Sequence, residues 1–573
     1  MPTLEISEET HRTKYRSVGE TFEDACSRIA AATADSDEHR KAIKELLLNE
    51  SFLPAGRIQS AAGSPRVTTP FNCYVSGIIE DNAESIMKRA GEAFQTMRLG
   101  GGIGYDFSLL RPRGDHIASL DSIASGPVSF MGIYDSICKT VSSAGHRRGA
   151  QMGVLRVDHP DIEEFIDAKH NTEALTSFNI SIGITDDFMR CVTSGNDFPL
   201  SFGGRVYKYV NARKLWDKIM RSTWDWAEPG VLYIDRINEM NNLWYNEEIA
   251  ATNPCAEQPL PEFGACLLGS FNLTKYLRTL TNGYPGINQE LYFDYVKLAK
   301  DVPVAVRMLD NIIDGATFPL ERQELEAKRK RRMGLGVTGL ANAIEGIGYL
   351  YGSQGFLNIE GRILQTLRDS AYIASVQLAK EKGPFPYYDE RFCESKFVKT
   401  LTPVVQGLIR KHGIRNSHLL SIAPTGTISL CADNVSSGIE PVFSLKYDRT
   451  IQTEEGPKTV EVSDYGLREF GVKGKTADKV TVREHLDVLI TAQKYTDSAV
   501  SKTCNVGDDV TWEEFKEIYM TAWREGAKGC TTFRAAGKRF GILVAKPDEE
   551  EEGEESKVEA CFIDPATGKK SCE

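Results

Sequence analysis

The 573-residue sequence contains no C-x-x-C pair and no H-E-x-x-H run. The first absence removes a zinc ribbon or a thioredoxin-type dithiol, and the second removes a helix-borne zinc protease site. No metal site is therefore expected. Twelve cysteines are too sparse to staple a chain of this length with disulfides. Each is expected to be a buried thiol, a ligand or a reacting group. No apolar stretch approaches the roughly 18 residues that read as a membrane span, so no membrane partner is expected. The N-terminus, Met1-Pro2-Thr3-Leu4-Glu5, lacks the basic-then-apolar order of a secretory signal, which points to the cytoplasm. Positive charge is not in excess either. A net charge of −12 argues against nucleic acid as a partner, since phosphate backbones need a basic surface. No fixed-period repeat is visible, which disfavours a solenoid.

The chain divides by pattern into three stretches. Residues 1–55 read as a short helical region, from the spacing of Phe22, Ala25, Cys26, Ile29 and Ala30 and then of Ile43, Leu46 and Leu47. Residues 56–545 alternate short apolar runs with amphipathic helices, which predicts an α/β fold with parallel strands. Phe178–Ile184, Gly153–Val157 and Leu419–Ala423 are the clearest strand candidates. Residues 546–573 change to an acidic run, Asp548 to Glu555, and a polar end that holds Cys561 and Cys572. That composition predicts a flexible tail.

Several motifs could carry chemistry. Gly334-Leu335-Gly336-Val337-Thr338-Gly339 matches the G-x-G-x-x-G spacing of dinucleotide sites, which need a strand before it. Here it follows Lys328-Arg329-Lys330-Arg331-Arg332, which does not read as a buried strand, so close backbone packing is the better reading. Gly145-His146-Arg147-Arg148-Gly149-Ala150 is either a phosphate- or base-binding loop or a solvated basic turn. Pro424-Thr425-Gly426-Thr427-Ile428-Ser429 follows an apolar run. It suits a phosphate cradle at a helix start as well as it suits an ordinary helix cap. Asn253-Pro254-Cys255-Ala256-Glu257 sets an amide, a thiol and a carboxylate on alternate positions, which an extended loop would turn to one side. No histidine lies near to activate Cys255 as in a thiol protease.

Taken in order, these stretches resemble the catalytic chain of ribonucleotide reductase. They are joined by Phe71-Asn72-Cys73, Ser125 to Met131, Arg147 to Gly153, Gly264 to Leu273, Arg332 to Leu340 and Ser437 to Phe443, and together cover roughly residues 50 to 540. The resemblance implies a ten-stranded α/β barrel with a central finger loop. It implies that Cys255 is the thiyl radical, that Glu257 and Asn253 engage the ribose 3′ hydroxyl, and that Cys73 and Cys266 supply the reducing equivalents. Pro424, Thr425, Gly426, Thr427, Ile428 and Ser429 become the substrate phosphate site. Asp81 and Arg111, with Arg147, Arg148 and Gln151 in the specificity loop, become the site and relay of a dNTP or ATP effector. Cys561 and Cys572 become carriers of electrons from a thioredoxin- or glutaredoxin-like donor, with their mutual pairing left open. A homodimer is expected.

The resemblance is strongest to class II, which draws its radical from adenosylcobalamin. The segment Gly529-Cys530-Thr531-Thr532-Phe533-Arg534 carries no tyrosine pair of the kind that relays a radical in class I. Tyr387 and Tyr388 fall elsewhere and read as a surface turn. The N-terminal helices are too short for an ATP cone, so dNTPs are expected to set specificity without a cone-based off-switch. Two other readings stay in play: a class I chain fed by a metal-bearing β subunit and, more remotely, an NAD-dependent oxidoreductase built on Gly334 to Gly339.

Overall fold

The structure is a computed structural model and describes residues 2–141, 150–280, 291–453 and 456–534, with the backbone of 561–563 and 570–572. Its centre is a ten-stranded mixed sheet. In chain order the strands are β1 (Phe52–Pro54), β2 (Cys73–Val75), β3 (Gly102–Asp106), β4 (Gln151–Arg156) and β5 (Phe178–Ile184). They continue with β6 (Gly230–Tyr233), β7 (Ala265–Asn272), β8 (Met333–Thr338), β9 (Thr503–Val506) and β10 (Gly529–Arg534). The spatial order is β1-β7-β2-β3-β4-β5-β6-β10-β9, with β8 on the other edge of β7. Strands β2 to β6 run parallel. The pairs β7–β8 and β9–β10 are each parallel within themselves and antiparallel to that set.

Both faces of the sheet are covered, so its strands need not alternate polar with apolar residues. All eight residues of β7 are buried. One face packs on the surrounding helices through Leu267, Phe271, Met333, Leu335 and many others. The opposite face holds a smaller cluster that includes Cys73, Val154, Leu232, Cys266 and Leu268. Ile249, Ala251 and Leu260 belong to that inner cluster, so the segment around residues 249–260 is packed against the inner face.

The helical N-terminus is as the spacing predicts. Helices span Phe22–Thr33 and Asp37–Leu48, the first opened by a capping box between Thr21 and Asp24. A further helix, Glu5–Tyr15, precedes them. These helices dock on the rest of the chain. His39 Nε2 lies 3.1 Å from the Val304 carbonyl, Asn311 Nδ2 donates to the Thr33 carbonyl, and Ser7 Oγ donates to the Leu430 carbonyl. Among the described residues, no helix is long and apolar enough to cross a membrane.

Two expectations change. Leu419–Ala423 is not a full strand. It makes isolated parallel bridges, Leu335 with Leu420 and Ile422 with Val500. The glycine motif does not follow a strand, because it is the strand: β8 is buried throughout and begins directly after the basic run. Lys330, Arg331 and Arg332 are themselves buried, with carboxylates from other segments neutralising them. A Cβ on Gly336 would stand 2.4 Å from the Ser421 carbonyl oxygen, so the glycines serve close backbone approach.

Gly104 in β3 meets the same demand more sharply. A Cβ there would fall 1.7 Å from the Thr252 carbonyl oxygen. Gly104→Ala is therefore expected to push the 252–258 turn off the sheet. The predicted cost is about 1–3 kcal/mol of stability, with a drop in turnover, read by denaturant unfolding and steady-state assay.

Candidate active site

A two-stranded hairpin, Ala251–Thr252 with Pro259–Leu260, carries the N-x-C-x-E sequence at its tip. The tip is a tight turn, contrary to the expectation of an extended loop. Asn253 closes it. Its amide accepts from Gln258 N–H through Oδ1 at 2.9 Å, and its backbone N–H donates to the Gln258 carbonyl at 3.1 Å. Ala256 takes a left-handed φ of 64°. Turn geometry, not strand alternation, therefore aims the three side chains. Cys255 is exposed, while Asn253 and Glu257 are buried.

All three border a cavity of about 760 Å³, together with Cys73, Gly100 to Gly102, Ala150 and Pro424 to Ile428. Asn253 Nδ2 lies 3.1 Å from Cys73 Sγ, and Glu257 Oε1 lies 3.9 Å from the same sulfur. Ser421 Oγ and Ala499 N–H both hydrogen-bond the Glu257 carbonyl, fixing that end of the turn. A larger cavity of about 1070 Å³ opens elsewhere, at the carboxyl ends of β3 to β6, but Cys255 does not border it. Size therefore does not pick out the chemistry here. The side chains do.

Cys73 and Cys266 are register partners across the antiparallel pair β2–β7, and both are thiols. Such partners stand ~4.5–5.5 Å apart at Cα. That separation lies inside the ~4.4–6.8 Å which a disulfide bridges. Burial pushes both thiols well above their ordinary pKa, and the Glu257 carboxylate adds to the effect at Cys73. Both are held protonated. That suits donors of hydrogen to a substrate better than it suits standing nucleophiles.

The Pro424–Ser429 stretch begins a helix, Gly426–Cys431. Thr425 has a left-handed φ of 51°, and its hydroxyl is taken up by Thr338 Oγ1 and by Gly438 N–H. Ser429 bonds Ser437 and does not border the cavity. A Cβ on Gly426 would meet nothing within 4 Å. The open space lies where the first N–H groups of the helix have no intrahelical acceptor. Pro424 to Ile428 thus border the cavity at the start of that helix, while Ser429 is bonded away from it.

The other predicted residues separate. Asp81 and Arg111 form a half-exposed ion pair of 2.6 Å. Arg147 and Arg148 lie outside the described residues. Gln151 is buried in β4, where its side chain accepts from Tyr105 Oη and donates to the Tyr134 carbonyl. Cys561 and Cys572 are register partners in a short antiparallel pair, 561–563 with 570–572. Tyr387 is exposed, and neither it nor Tyr388 borders the Cys255 cavity. Among the described residues, no cluster of three or more His, Cys, Asp or Glu is placed to hold a metal ion.

One group was missed from sequence. Glu247, before the hairpin, pairs with Arg332 and at 2.8 Å with Lys330, and Glu326 pairs with both cations. A run of five basic residues looks solvated, and its distant carboxylate partner, Glu247, is 83 residues from Lys330 and 85 from Arg332. Burial raises the Glu247 pKa, but Arg332 and Lys330 overcome this and hold it at about 2. A depressed carboxylate stabilises the fold above its unfolded value of 4.5 and loses that contribution as pH falls towards about 2. Glu247→Gln is expected to cost about 3–5 kcal/mol in urea unfolding at pH 7. The gap to wild type should narrow below pH 4.5.

The family model for "Ribonucleotide reductase, barrel domain" matches residues 71–533. The chain is 34% identical over 565 residues to a "Vitamin B12-dependent ribonucleoside-diphosphate reductase" of Mycobacterium tuberculosis, covering 92% of this chain and 77% of the relative. It is 33% identical over 568 residues to a protein of the same name from Thermoplasma acidophilum, covering 94% and 70%. A "Ribonucleoside-diphosphate reductase large subunit" of Caenorhabditis elegans is 27% identical over 527 residues, covering 83% and 63%.

Proposed function

The chain belongs to the ribonucleotide reductase family, and from that premise we propose that it is a class II enzyme reducing ribonucleoside diphosphates with adenosylcobalamin as radical source. The observation that carries this reading is the exposed Cys255 facing a cavity that also presents Cys73, itself in register with Cys266. The NAD-dependent alternative loses its basis, since Gly334 and Gly336 lie inside a buried strand.

The sheet is taken to close into the family's barrel. Support comes from the 419–422 segment, which hydrogen-bonds β8 on one side and residues 499–501, just before β9, on the other. The hairpin at 251–260 then serves as the finger inside it.

The cavity's 760 Å³ is towards the upper end of the ~300–1,000 Å³ that houses one drug-sized ligand, so a nucleotide leaves room for a second group. Gly100, Gly101, Gly102 and Ala150 border the same cavity as Cys255, with the Arg57 side chain against Gly100 and Pro254 against Gly102. These residues fit the adenosyl portion of the cofactor and would hold it there. Adenosylcobalamin, when bound, supplies the one-electron oxidation that makes Cys255 a thiyl radical.

The chain's own residues then act in sequence. The substrate phosphates sit on the Pro424–Ile428 cradle, which orients the ribose over Cys255. Cys255 takes the 3′ hydrogen atom, Glu257 takes the 3′ hydroxyl proton, and Asn253 hydrogen-bonds the same region. Cys73 protonates the departing 2′ hydroxyl, which leaves as water. Cys73 and Cys266 give up two electrons and two protons in all and become a disulfide. Cys255 returns its hydrogen atom to C3′, and Glu257 returns the proton to the 3′ oxygen. A closed, water-poor cavity protects the radical throughout.

Cys561 and Cys572 would pass electrons inward from a thioredoxin-like dithiol, and their register pairing supports their acting together. A dNTP or ATP effector is assigned to the Asp81–Arg111 neighbourhood, with Arg147, Arg148 and Gln151 as the relay. A homodimer is supported by the helix Ala83–Arg98, where Met87, Gly91 and Phe94 form one stripe. Met87 and Phe94 are exposed, and open space lies beyond Gly91.

Incubating the purified chain with a ribonucleoside diphosphate, dithiothreitol and adenosylcobalamin is expected to yield deoxyribonucleotide without any second protein. Turnover that appears only when a metal-bearing partner chain is added would assign the protein to class I.

A further inference from the structure

We propose that the Cys73–Cys266 disulfide is re-reduced in one direction, with the incoming thiolate attacking Cys73 Sγ and Cys266 leaving as a thiolate beside Arg332. This rests on reading Cys73 and Cys266 as the reducing pair.

Access gives the first argument. Cys73 borders the cavity, whereas Cys266 does not and is 0% exposed. A thiol entering by the cavity therefore meets Cys73 first. In-line attack on one sulfur expels the other.

The strand register gives the second. Cys73 faces Cys266 across β2–β7. On the far edge of β7, Leu267 pairs with Met333 in parallel register, so the row through Cys266 continues to Arg332. Leu267 and Met333 turn to the outer core, while Cys266 turns inward beside Cys73. Arg332 therefore comes from the inner side as well. It is buried and held by Glu247 and Glu326, so its guanidinium is fixed without a conformational search.

The two sulfurs also face different charges. Cys266 faces Arg332, which favours its thiolate, with Asp497 and Glu257 opposing. Cys73 faces Glu257 and the two other cysteines, all opposing a thiolate, with only the Asn253 amide in favour. The better leaving group is the sulfur whose anion is better stabilised. The S–S bond between Cys73 and Cys266 breaks as a new S–S bond forms between the donor and Cys73. The electron pair of the broken bond stays on Cys266. The donor's second thiol then displaces Cys73, and the two thiol protons of the donor end on Cys73 and Cys266.

The test starts from Cys561→Ser, Cys572→Ser holoenzyme, whose tail cannot re-reduce the pair, taken through one turnover without reductant, then mixed with glutathione, acid-quenched and alkylated. Peptide mass mapping is expected to place glutathione on Cys73 and the alkyl label on Cys266. Glutathione on Cys266 would overturn the direction while leaving the Proposed function intact. Absence of any Cys73–Cys266 disulfide after the turnover would overturn both. In a second arm, the oxidised enzyme is re-reduced by dithiothreitol. Arg332→Lys should keep most of the wild-type rate. The double variant Arg332→Gln, Glu247→Gln, which strands no lone buried carboxylate, should be slower by about tenfold or more. Equal rates in the two would remove Arg332 from the step. Should the double variant not fold, the mapping still decides the direction.

Discussion

Cys255→Ser is expected to abolish deoxyribonucleotide formation, lowering turnover by about 10⁴-fold or more, which is ~5 kcal/mol of barrier. Serine keeps the shape of the side chain but not its weak S–H bond, so it cannot exchange a hydrogen atom with the ribose. The same change should barely touch stability. Cys255 is exposed to the cavity, and exposed substitutions usually shift unfolding by less than about 0.5 kcal/mol. A large kinetic loss with an unmoved urea midpoint separates a chemical role from a structural one. A variant that loses activity only by unfolding would move both.

Cys73→Ser is expected to fail differently. Steady-state reduction should fall by about 10³-fold or more, while cleavage of the 3′ C–H bond continues, because Cys255 and Glu257 remain in place. The serine hydroxyl could still protonate the leaving group weakly, but no disulfide with Cys266 can form. Cys73 is buried, with Asn253 Nδ2 at 3.1 Å, and serine preserves that contact with an oxygen. Rapid-quench analysis should therefore find altered substrate-derived products in place of deoxyribonucleotide. Normal multiple turnover by Cys73→Ser would remove it from the reducing pair.

Much of this was legible in the sequence because the signals are local. The apolar spacing at Phe22–Ala30 and Ile43–Leu47 predicts the two helices observed there. Phe178–Ile184 is a largely apolar run, buried except at Asn179, and it is a strand over that same range. The N-x-C-x-E tip stands out by its amide, thiol and carboxylate, but Cys73 and Cys266 could be singled out only by resemblance, since residues nearly 200 positions apart give no local sign that they meet. The register of β2 with β7 makes them neighbours.

Other features resisted for physical reasons. Lys330 and Arg332 look like solvated charges until Glu247 arrives from a distant segment to join the local Glu326 in neutralising them. Leu419–Ala423 has a strand's composition, but its ladder is reduced to single bridges on each side. The hairpin tip reads as extended in the sequence because alternation is the simplest way to align three side chains. The chain instead uses an Asn253-closed turn with Ala256 left-handed. Arg147 and Arg148 lie outside the described residues, so the specificity loop stays a sequence-based assignment.

The proposed mechanism has Cys255 remove the ribose 3′ hydrogen. The most direct measurement is product formation from a 3′-deuterated ribonucleoside diphosphate by holoenzyme and by Cys255→Ser under the same conditions. A primary deuterium isotope effect is expected in the wild type, with no 3′ C–D cleavage in the variant. Cleavage of that bond by Cys255→Ser at the wild-type rate would contradict it.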